Sequence, residues 1–213
     1  KTVLNENTYI VNGVDSLKNS CACEIIPDRI EAGTYMIAAA LIGGQITLNK
    51  IDTSHLSIII QKLRDAGAII EIDKNSLTVT SSNVIKPINI STSEYPGFPT
   101  DLQAQWMALM TLAKGKSTII EKIYKDRFTH IAELKRFGAI ISLKDNVAKI
   151  TGVKTLKAAP VMSTDIRASA SLVLAALRAD GTSEISRIYH LDRGYENIVN
   201  KFSDLGANIK RVN

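Results

Sequence analysis

The chain has 213 residues, of which 45% are hydrophobic and 22% charged, and its 26 basic and 21 acidic residues give a formal net charge of +5. This composition is typical of a globular protein with one or two domains and excludes a disordered chain. The basic residues are scattered and only 5% of the residues are aromatic, which argues against nucleic-acid binding and favours a small anionic ligand.

The first block of the chain is predicted to alternate strands and helices. Strands are predicted at Thr8–Val11, before an Asn-Gly turn, and at Cys23–Ile26, before a proline. A helix led in by Asp28 covers Ala32–Leu41 and ends at Gly43-Gly44. After it the pattern predicts a strand, a helix and a strand pair, at Gln45–Ile51, His55–Ala66, Ala68–Ile72 and Ser76–Thr80.

The same order of elements returns twice. The second block contains a helix, a strand, a second helix and a hairpin, at Asp101–Ala113, Ser117–Ile123, a segment ending at Phe137, Ala139–Leu143 and Val147–Ile150. The third block begins at Asp165 with a helix that stops at Asp180-Gly181, followed by a strand at Ser183–Ile188. A second helix follows Asp192-Arg193-Gly194 and ends at Gly206, before a last strand at Ala207–Val212.

Three similar phrases mark the repeat, at Ala66-Gly67-Ala68, Phe137-Gly138-Ala139 and Leu205-Gly206-Ala207. Their glycines are 71 and 68 residues apart. Units of this size cannot bury their apolar faces alone, so we expect three copies of an α/β unit to pack around a shared core.

The ends of the chain do not coincide with the ends of the repeat. The third block stops after one strand, which would leave an edge that needs a partner, and we expect an oligomer or strand exchange there. Near the other end, Gly13–Lys18 resembles Gly152–Lys157, the segment that follows the second hairpin. We therefore expect the chain to be a fragment with at least one more unit upstream.

The loop before the second block's first helix delivers a carboxylate to the start of that helix. Two prolines and a glycine between Tyr95 and Thr100 exclude helix there, and Thr100 and Asp101 occupy the positions of an N-cap and first turn. The simplest interpretation of such a pattern is a capped helix.

Acidic and basic residues recur before the helices, at Asp101, Asp126 with Arg127, Asp165 with Arg167, and Asp192 with Arg193. Taken singly, these are helix caps or surface ion pairs, and Arg167 could simply pair with Asp165. Taken together, arginines at equivalent helix starts of a threefold repeat would converge on one face and bind a phosphate and a carboxylate. A carboxylate among them could act as a base toward a hydroxyl group.

Metal and membrane chemistry are not predicted. The spacing of Cys21 and Cys23 suits neither a disulfide nor a zinc knuckle, and the three histidines are far apart in the sequence. We therefore predict no metal and no cofactor. The longest apolar run, Met36–Ile42, is too short to cross a membrane, and we predict a cytoplasmic protein.

Five motifs, in order, resemble the C-terminal half of UDP-N-acetylglucosamine enolpyruvyl transferases, namely Pro27–Thr34, Pro96–Gln105, Arg127–Phe128, Thr164–Leu172 and Tyr189–Glu196. The resemblance covers essentially the whole chain. It implies an α/β (α+β) fold, an inside-out, barrel-like domain of three βαβαββ repeats with buried helices, and substrates bound in a cleft between two such domains. On this basis residues 1–26 are the tail of a preceding unit, and the domain 27–213 divides into repeats 27–90, 91–160 and 161–213.

The resemblance also implies an activity, the transfer of the enolpyruvyl group of phosphoenolpyruvate to a hydroxyl of UDP-N-acetylglucosamine, which commits the sugar to peptidoglycan. Asp101 matches the family's residue at that hydroxyl, its favoured general base, and Arg193 matches an arginine that holds phosphoenolpyruvate. The backbone of Ile123 matches a contact to the nucleotide sugar. The remaining matches, which shape the closed cleft, are Arg127, Asp165 and Arg167.

The chain departs from the family in one respect. The catalytic cysteine, a substrate-binding lysine and most of the nucleotide pocket belong to the family's other half, and neither Cys21 nor Cys23 matches that cysteine. The resemblance therefore implies that the N-terminal domain is a required partner and that this chain alone is inactive. Two alternatives remain, an enolpyruvyl transferase that acts on shikimate phosphate and a non-catalytic domain of the same fold.

Overall fold

The computed structural model describes residues 2–5, 8–17 and 22–212. The helices are α1 (Arg29–Ile42), α2 (Ser57–Asp65), α3 (Gln103–Met110), α4 (His130–Arg136), α5 (Ile166–Arg178), α6 (Tyr189–Asp192) and α7 (Ile198–Asp204). Short 3₁₀ turns, Thr53–Leu56 and Thr100–Leu102, lead into α2 and α3. Within the described ranges, none of the helices is both long enough and apolar enough to cross a membrane.

The strands form two larger sheets and two pairs. They are β1 (Thr2–Asn5), β2 (Thr8–Val11), β3 (Gln45–Asn49), β4 (Ile69–Asp73), β5 (Ser76–Thr80), β6 (Ile90–Ser91), β7 (Lys116–Ile120), β8 (Ile140–Lys144), β9 (Val147–Thr151), β10 (Pro160–Met162) and β11 (Glu184–Ser186). The sheet orders are β3-β5-β4 and β6-β7-β9-β8, and the pairs are β1-β2 and β10-β11. The second block thus contains the full order β6, α3, β7, α4, β8, β9.

Helices form the centre of the molecule and sheets lie outside them. The first helices of the three blocks, α1, α3 and α5, pack against one another, and all eight residues of α3 are buried. The hairpin strands β4 and β8 each bury one residue on the helix side and expose the others. This arrangement of buried helices and outer sheets is the inside-out architecture that the resemblance implied.

The repeat predicted from three glycine phrases is present in the backbone. Gly67, Gly138 and Gly206 follow α2, α4 and α7 and have φ values of 107°, 91° and 92°. These values lie in a region that L side chains rarely adopt, so each glycine allows the chain to leave its helix in the same direction. The shared geometry supports three copies of one unit.

Two predicted strands are wrong. Residues 22–28 are irregular, Cys23 is exposed, and Cys21 lies outside the described residues. Residues 207–212 also form no strand, so the unpaired edge predicted for the third block does not lie there. Both segments alternate like strands in sequence, but a strand needs a hydrogen-bonded neighbour, and neither segment has one within the described ranges.

Two short strands were not predicted. The strands that open the second and third blocks, β6 and β10, have two and three residues and are too short for periodicity to detect. They run parallel to β7 and β11 respectively. They place the loops before α3 and α5 at the same end of the molecule.

Candidate active site

The three central helices begin in two different ways. Asp28 caps α1 by accepting hydrogen bonds from the backbone N–H groups of its first turn, at 2.7 and 3.1 Å. Asp165 caps α5 in the same way, at 2.8 and 2.9 Å. The start of α3 has no side-chain cap. The cap interpretation is therefore right for Asp165 and wrong for Asp101, whose carboxylate is free for other partners.

The carboxylate of Asp101 lies between two arginines. Arg127 donates from Nη1 to Oδ1, and Arg167 donates from Nη2 to Oδ2 at 3.0 Å. The Asp101 side chain is 33% exposed, and the two arginine side chains are 23% and 19% exposed. Arg167 therefore does not pair with Asp165, and the second and third blocks meet at one mixed-charge cluster that is open to solvent.

The two arginines change the acidity of Asp101. Burial raises the pKa of the carboxyl, but the hydrogen bond from Arg127 and the charge of Arg167 outweigh it, and the pKa lies below its usual value. Burial lowers the pKa of Arg167, and Tyr195 and Asp101 more than reverse this. The pair is ionised at neutral pH, and Asp101 is a weak base while both arginines remain in contact with it.

A buried carboxylate, Glu121, shapes the loop that carries Arg127. Its side chain accepts hydrogen bonds from Thr92 Oγ1 at 2.6 Å and from Thr100 Oγ1 at 3.0 Å. It also accepts hydrogen bonds from the backbone N–H groups of Ile123, at 2.9 Å, and of Tyr124, at 3.0 Å. No pattern in the sequence points to Glu121. It connects the loop before α3 to the loop with Ile123, so both reach the site in a fixed arrangement.

The starts of α4 and α5 are also connected. Thr129 Oγ1 donates to Asp165 Oδ2 at 3.2 Å and lies 3.0 Å from Thr164 Oγ1. The neighbouring His130 is buried, and neither ring nitrogen has a hydrogen-bond partner within the described residues. Burial lowers the pKa of His130 to about 4, with Asp165 opposing the shift and Arg127 adding to it.

Arg193 lies at the edge of the cluster. It is exposed and forms the C-cap of α6. A Cβ atom added to the next residue, Gly194, would lie 2.7 Å from Ile166 Cγ2 and 3.9 Å from Arg167 Nη1, so this segment passes directly beside Arg167. Asp192, the sequence neighbour of Arg193, pairs with Arg211.

The structure thus gathers most of the predicted site. Asp101, Arg127 and Arg167 are in direct contact, and Asp165 is connected to them through Thr129 and α5. Ile123 is exposed in the loop held by Glu121, and Asp126 is exposed. The cluster of Asp101, Arg127 and Arg167 forms a partly exposed rim at the surface of the domain.

Two concavities of the described chain lie elsewhere. One, of about 690 Å³, is at the other end of the central helices and is lined by Lys114, Lys154 and Arg178 among others. The second, of about 550 Å³, lies beside Arg29 and Tyr95, where the guanidinium is 5.0 Å from the ring centroid.

Comparison with known sequences places the chain among enolpyruvyl transferases. A family model described as EPSP synthase (3-phosphoshikimate 1-carboxyvinyltransferase) matches residues 2–202. The UDP-N-acetylglucosamine 1-carboxyvinyltransferase of Desulfosudis oleivorans is 54% identical over 202 residues, 95% of this chain and 48% of that protein. The protein of the same name from Geobacter metallireducens is 55% identical over 189 residues, 89% of this chain and 45% of that protein. The chain spans about half the length of these relatives.

Solved structures agree with this assignment. The enolpyruvyl transferase NikO from Streptomyces tendae has a TM-score of 0.79 and 28% identity, over 87% of this chain and 44% of that chain. EPSP synthase from Acinetobacter baumannii has a TM-score of 0.57 at 16% identity, over 75% of this chain and 38% of that chain, and supports the fold alone. The fold and the family predicted from the sequence motifs are therefore confirmed: the chain belongs to the EPSP synthase family of enolpyruvyl transferases.

Proposed function

We propose that the chain forms one half of a protein that transfers the enolpyruvyl group of phosphoenolpyruvate to the 3-hydroxyl of UDP-N-acetylglucosamine. This step would commit the sugar to peptidoglycan in the cytoplasm. The observation that carries the proposal is the Asp101 carboxylate, which lies between Arg127 and Arg167 instead of capping its helix. The names of relatives that are 54% and 55% identical point to the same substrate.

The chemistry needs a base and several cations. The sugar hydroxyl oxygen adds to C2 of phosphoenolpyruvate while C3 gains a proton. Phosphate then leaves C2 as C3 loses a proton, and the enolpyruvyl ether forms. Asp101 would take the hydroxyl proton in the addition step. Both substrates are anionic, and paired arginines suit phosphate and carboxylate groups.

The ion pairs suggest how Asp101 becomes a useful base. With Arg127 and Arg167 in contact, its pKa is held low, which weakens it as a proton acceptor. An incoming phosphate or carboxylate would compete for these guanidinium groups. Once Asp101 loses one of them, its pKa rises because part of the favourable charge interaction is removed. Substrate binding and base activation would thus be the same event.

The remaining site residues are proposed from the family resemblance and supported by their positions. Arg193 would bind phosphoenolpyruvate, and it is exposed at a segment that passes beside Arg167. The backbone of Ile123 would contact the nucleotide sugar from a loop that Glu121 fixes. Asp165, with Arg127 and Arg167, would shape the closed cleft.

The other half of the protein would supply the rest of the site. We propose that residues 1–26 are a tail and that 27–90, 91–160 and 161–213 are three repeats of one domain. The second domain would contribute the catalytic cysteine, a substrate-binding lysine and most of the nucleotide pocket. On this view the 213-residue chain has no activity of its own.

A shikimate-phosphate enolpyruvyl transferase is the second candidate, because the family model that matches residues 2–202 carries that name. The same rim of Asp101 and arginines could serve either alcohol. The two activities differ in the acceptor alone, so one assay separates them.

The test is phosphate release by the full-length protein given phosphoenolpyruvate and UDP-N-acetylglucosamine, with shikimate 3-phosphate in a parallel reaction. We expect release with the nucleotide sugar. Release with shikimate 3-phosphate alone would support the second candidate, and release with neither acceptor would favour a non-catalytic domain. Turnover by the isolated 213-residue chain would contradict the division of the site between two halves.

A further inference from the structure

We propose that Thr34, Gln105 and Tyr195 form a positioning network, with one side chain from each block, that sets where Arg167 lies relative to Asp101. The inference rests on the proposed function for its kinetic consequences. Its structural consequence, the position of Arg167 at Asp101, does not depend on the substrate.

The three side chains form a closed set of hydrogen bonds in the core. The Tyr195 hydroxyl lies 2.8 Å from Thr34 Oγ1. The Gln105 amide nitrogen donates to Thr34 Oγ1 at 3.2 Å and to the Tyr195 hydroxyl at 3.1 Å. Thr34 and Gln105 are fully buried and Tyr195 is 1% exposed. They lie on α1, on α3 and just after α6, so the network joins all three blocks.

The network touches both members of the Asp101–Arg167 pair. Gln105 Nε2 also lies 3.1 Å from the backbone carbonyl oxygen of Asp101. The guanidinium carbon of Arg167 lies 5.8 Å from the centroid of the Tyr195 ring, a distance at which a cation is attracted to an aromatic face. Movement of Tyr195 would therefore move the guanidinium with respect to the carboxylate.

Directional contacts are needed here because packing alone does not fix such positions. Most of the buried side chains of the central helices are apolar, and the hydrophobic effect is non-directional. Hydrogen bonds have a preferred distance and angle, and in a water-free core they do not exchange with solvent. The amide oxygen, Gln105 Oε1, has no hydrogen-bond partner within the described residues, so the hydrogen bonds of Nε2 alone hold this side chain.

The test uses the full-length protein with Tyr195→Phe, which retains an aromatic ring but removes the hydroxyl that holds it to Thr34 and Gln105, so the ring and Arg167 can shift. We expect kcat to fall about tenfold, equivalent to one lost hydrogen bond in the transition state, with KM for both substrates changed less than about twofold. Thr34→Val should have a similar effect. The double variant should lose no more than the larger single loss, because residues of one network are not additive.

The matched control is Thr111→Val. Thr111 is also fully buried, and its hydroxyl donates to the Ala108 carbonyl at 2.6 Å, but it lies at the opposite end of α3. We expect a similar loss of thermal stability without a change in kcat. Equal effects on kcat in Thr111→Val and Tyr195→Phe would overturn the proposal, because the network would then act on stability alone.

A second readout does not require turnover. Arg167 and Arg127 are the cations that hold the pKa of Asp101 low, so a displaced Arg167 must raise that pKa, as measured by carboxyl ¹³C NMR titration. We expect a rise in Tyr195→Phe and none in Thr111→Val. If the wild-type protein turns over neither acceptor, the proposed function fails and this titration alone decides on the network. An unchanged Asp101 pKa in Tyr195→Phe would overturn it.

Discussion

The starts of α1, α3 and α5 are equivalent positions of one repeat and each carries an aspartate, but the aspartate before α3 has a different role from the other two. Asp28 and Asp165 satisfy the backbone N–H groups of their own helices. Before α3, a 3₁₀ turn already uses its backbone N–H groups, since Leu102 N donates to Pro99 O and Gln103 N donates to Thr100 O. Asp101 is therefore left for the arginines. The local backbone geometry therefore decides whether an aspartate at a helix start caps its own helix or binds other side chains.

The largest effect should follow from Asp101→Asn. The amide keeps the shape of the side chain but cannot accept a proton, and loss of a general base costs about 10²- to 10⁴-fold in rate. We expect kcat for phosphate release by the full-length protein to fall at least about 100-fold. Asp28→Asn is the matched control, because asparagine caps a helix as well as aspartate does. Equal rates in the two variants would remove the distinction between the helix starts.

The pKa of His130, a buried side chain influenced by both the capping Asp165 and the paired Arg127, can be tested through the pH dependence of stability. Burial lowers the pKa of the His130 ring to about 4 from the ordinary histidine value of 6.5, so the ring is neutral in the folded protein at neutral pH. The unfolded chain therefore binds more protons below pH 6.5, and stability falls as the pH falls from 6.5 toward 4. The contribution is about 2 kcal/mol between pH 7.5 and pH 5.

Urea unfolding at the two pH values measures this contribution. Between pH 7.5 and pH 5 the free energy of unfolding should change by about 2 kcal/mol less in His130→Phe than in the wild-type protein. The comparison is made within each variant, so a general loss of stability in His130→Phe does not affect it. The same pH dependence in both proteins would mean that the ring is not held neutral.

Asp165→Ala tests the capping side of the comparison. It removes the cap of α5 and the hydrogen bond from Thr129, and we expect the free energy of unfolding to fall by about 1 to 2 kcal/mol. Asp165→Asn should retain most of that stability in urea unfolding. A large loss of unfolding free energy in Asp165→Asn would instead show that the negative charge of Asp165 contributes more to stability than its capping hydrogen bonds do.

The smallest effect should follow from Asp28→Ala. This change removes only the two capping hydrogen bonds at the start of α1, and a loss of about 1 kcal/mol is expected from thermal or urea unfolding. Phosphate release should be unchanged at temperatures where the variant is folded. A loss of activity would show that the first block also contributes to the catalytic rim.

The fold was predictable to the extent that it is local. Periodicity and terminal glycines predict the helices α1, α3 and α5 and the two hairpins. The repeat follows from the spacing of Gly67, Gly138 and Gly206. Strand formation depends on a hydrogen-bonded neighbouring strand, which a local pattern does not reveal. The alternation at 23–26 and 207–212 therefore predicts strands where the structure has none. The strands β6 and β10 were not predicted because two or three residues are too few for periodicity to detect.

The candidate site was predictable in its residues but not in its pairings. Asp101, Arg127 and Arg167 stand out because acidic and basic residues recur before helices. That Arg167 reaches past Asp165 to Asp101 depends on how α3 and α5 cross, which no local pattern contains. Glu121 and Tyr195 were missed because a single carboxylate or phenol at the end of an element carries no signal of burial.

The helix that follows Asp101, the proposed catalytic carboxylate, is fully enclosed, since all eight residues of α3 are buried. Most enzymes place reactive groups on surface loops, where neighbouring positions can vary freely. Here a change of one methyl group at Met107 or Leu109 would shift the same helix that sets Asp101. Substitutions in the buried helix α3 should therefore disturb the proposed site, and substitutions on the outer sheets should be tolerated more often.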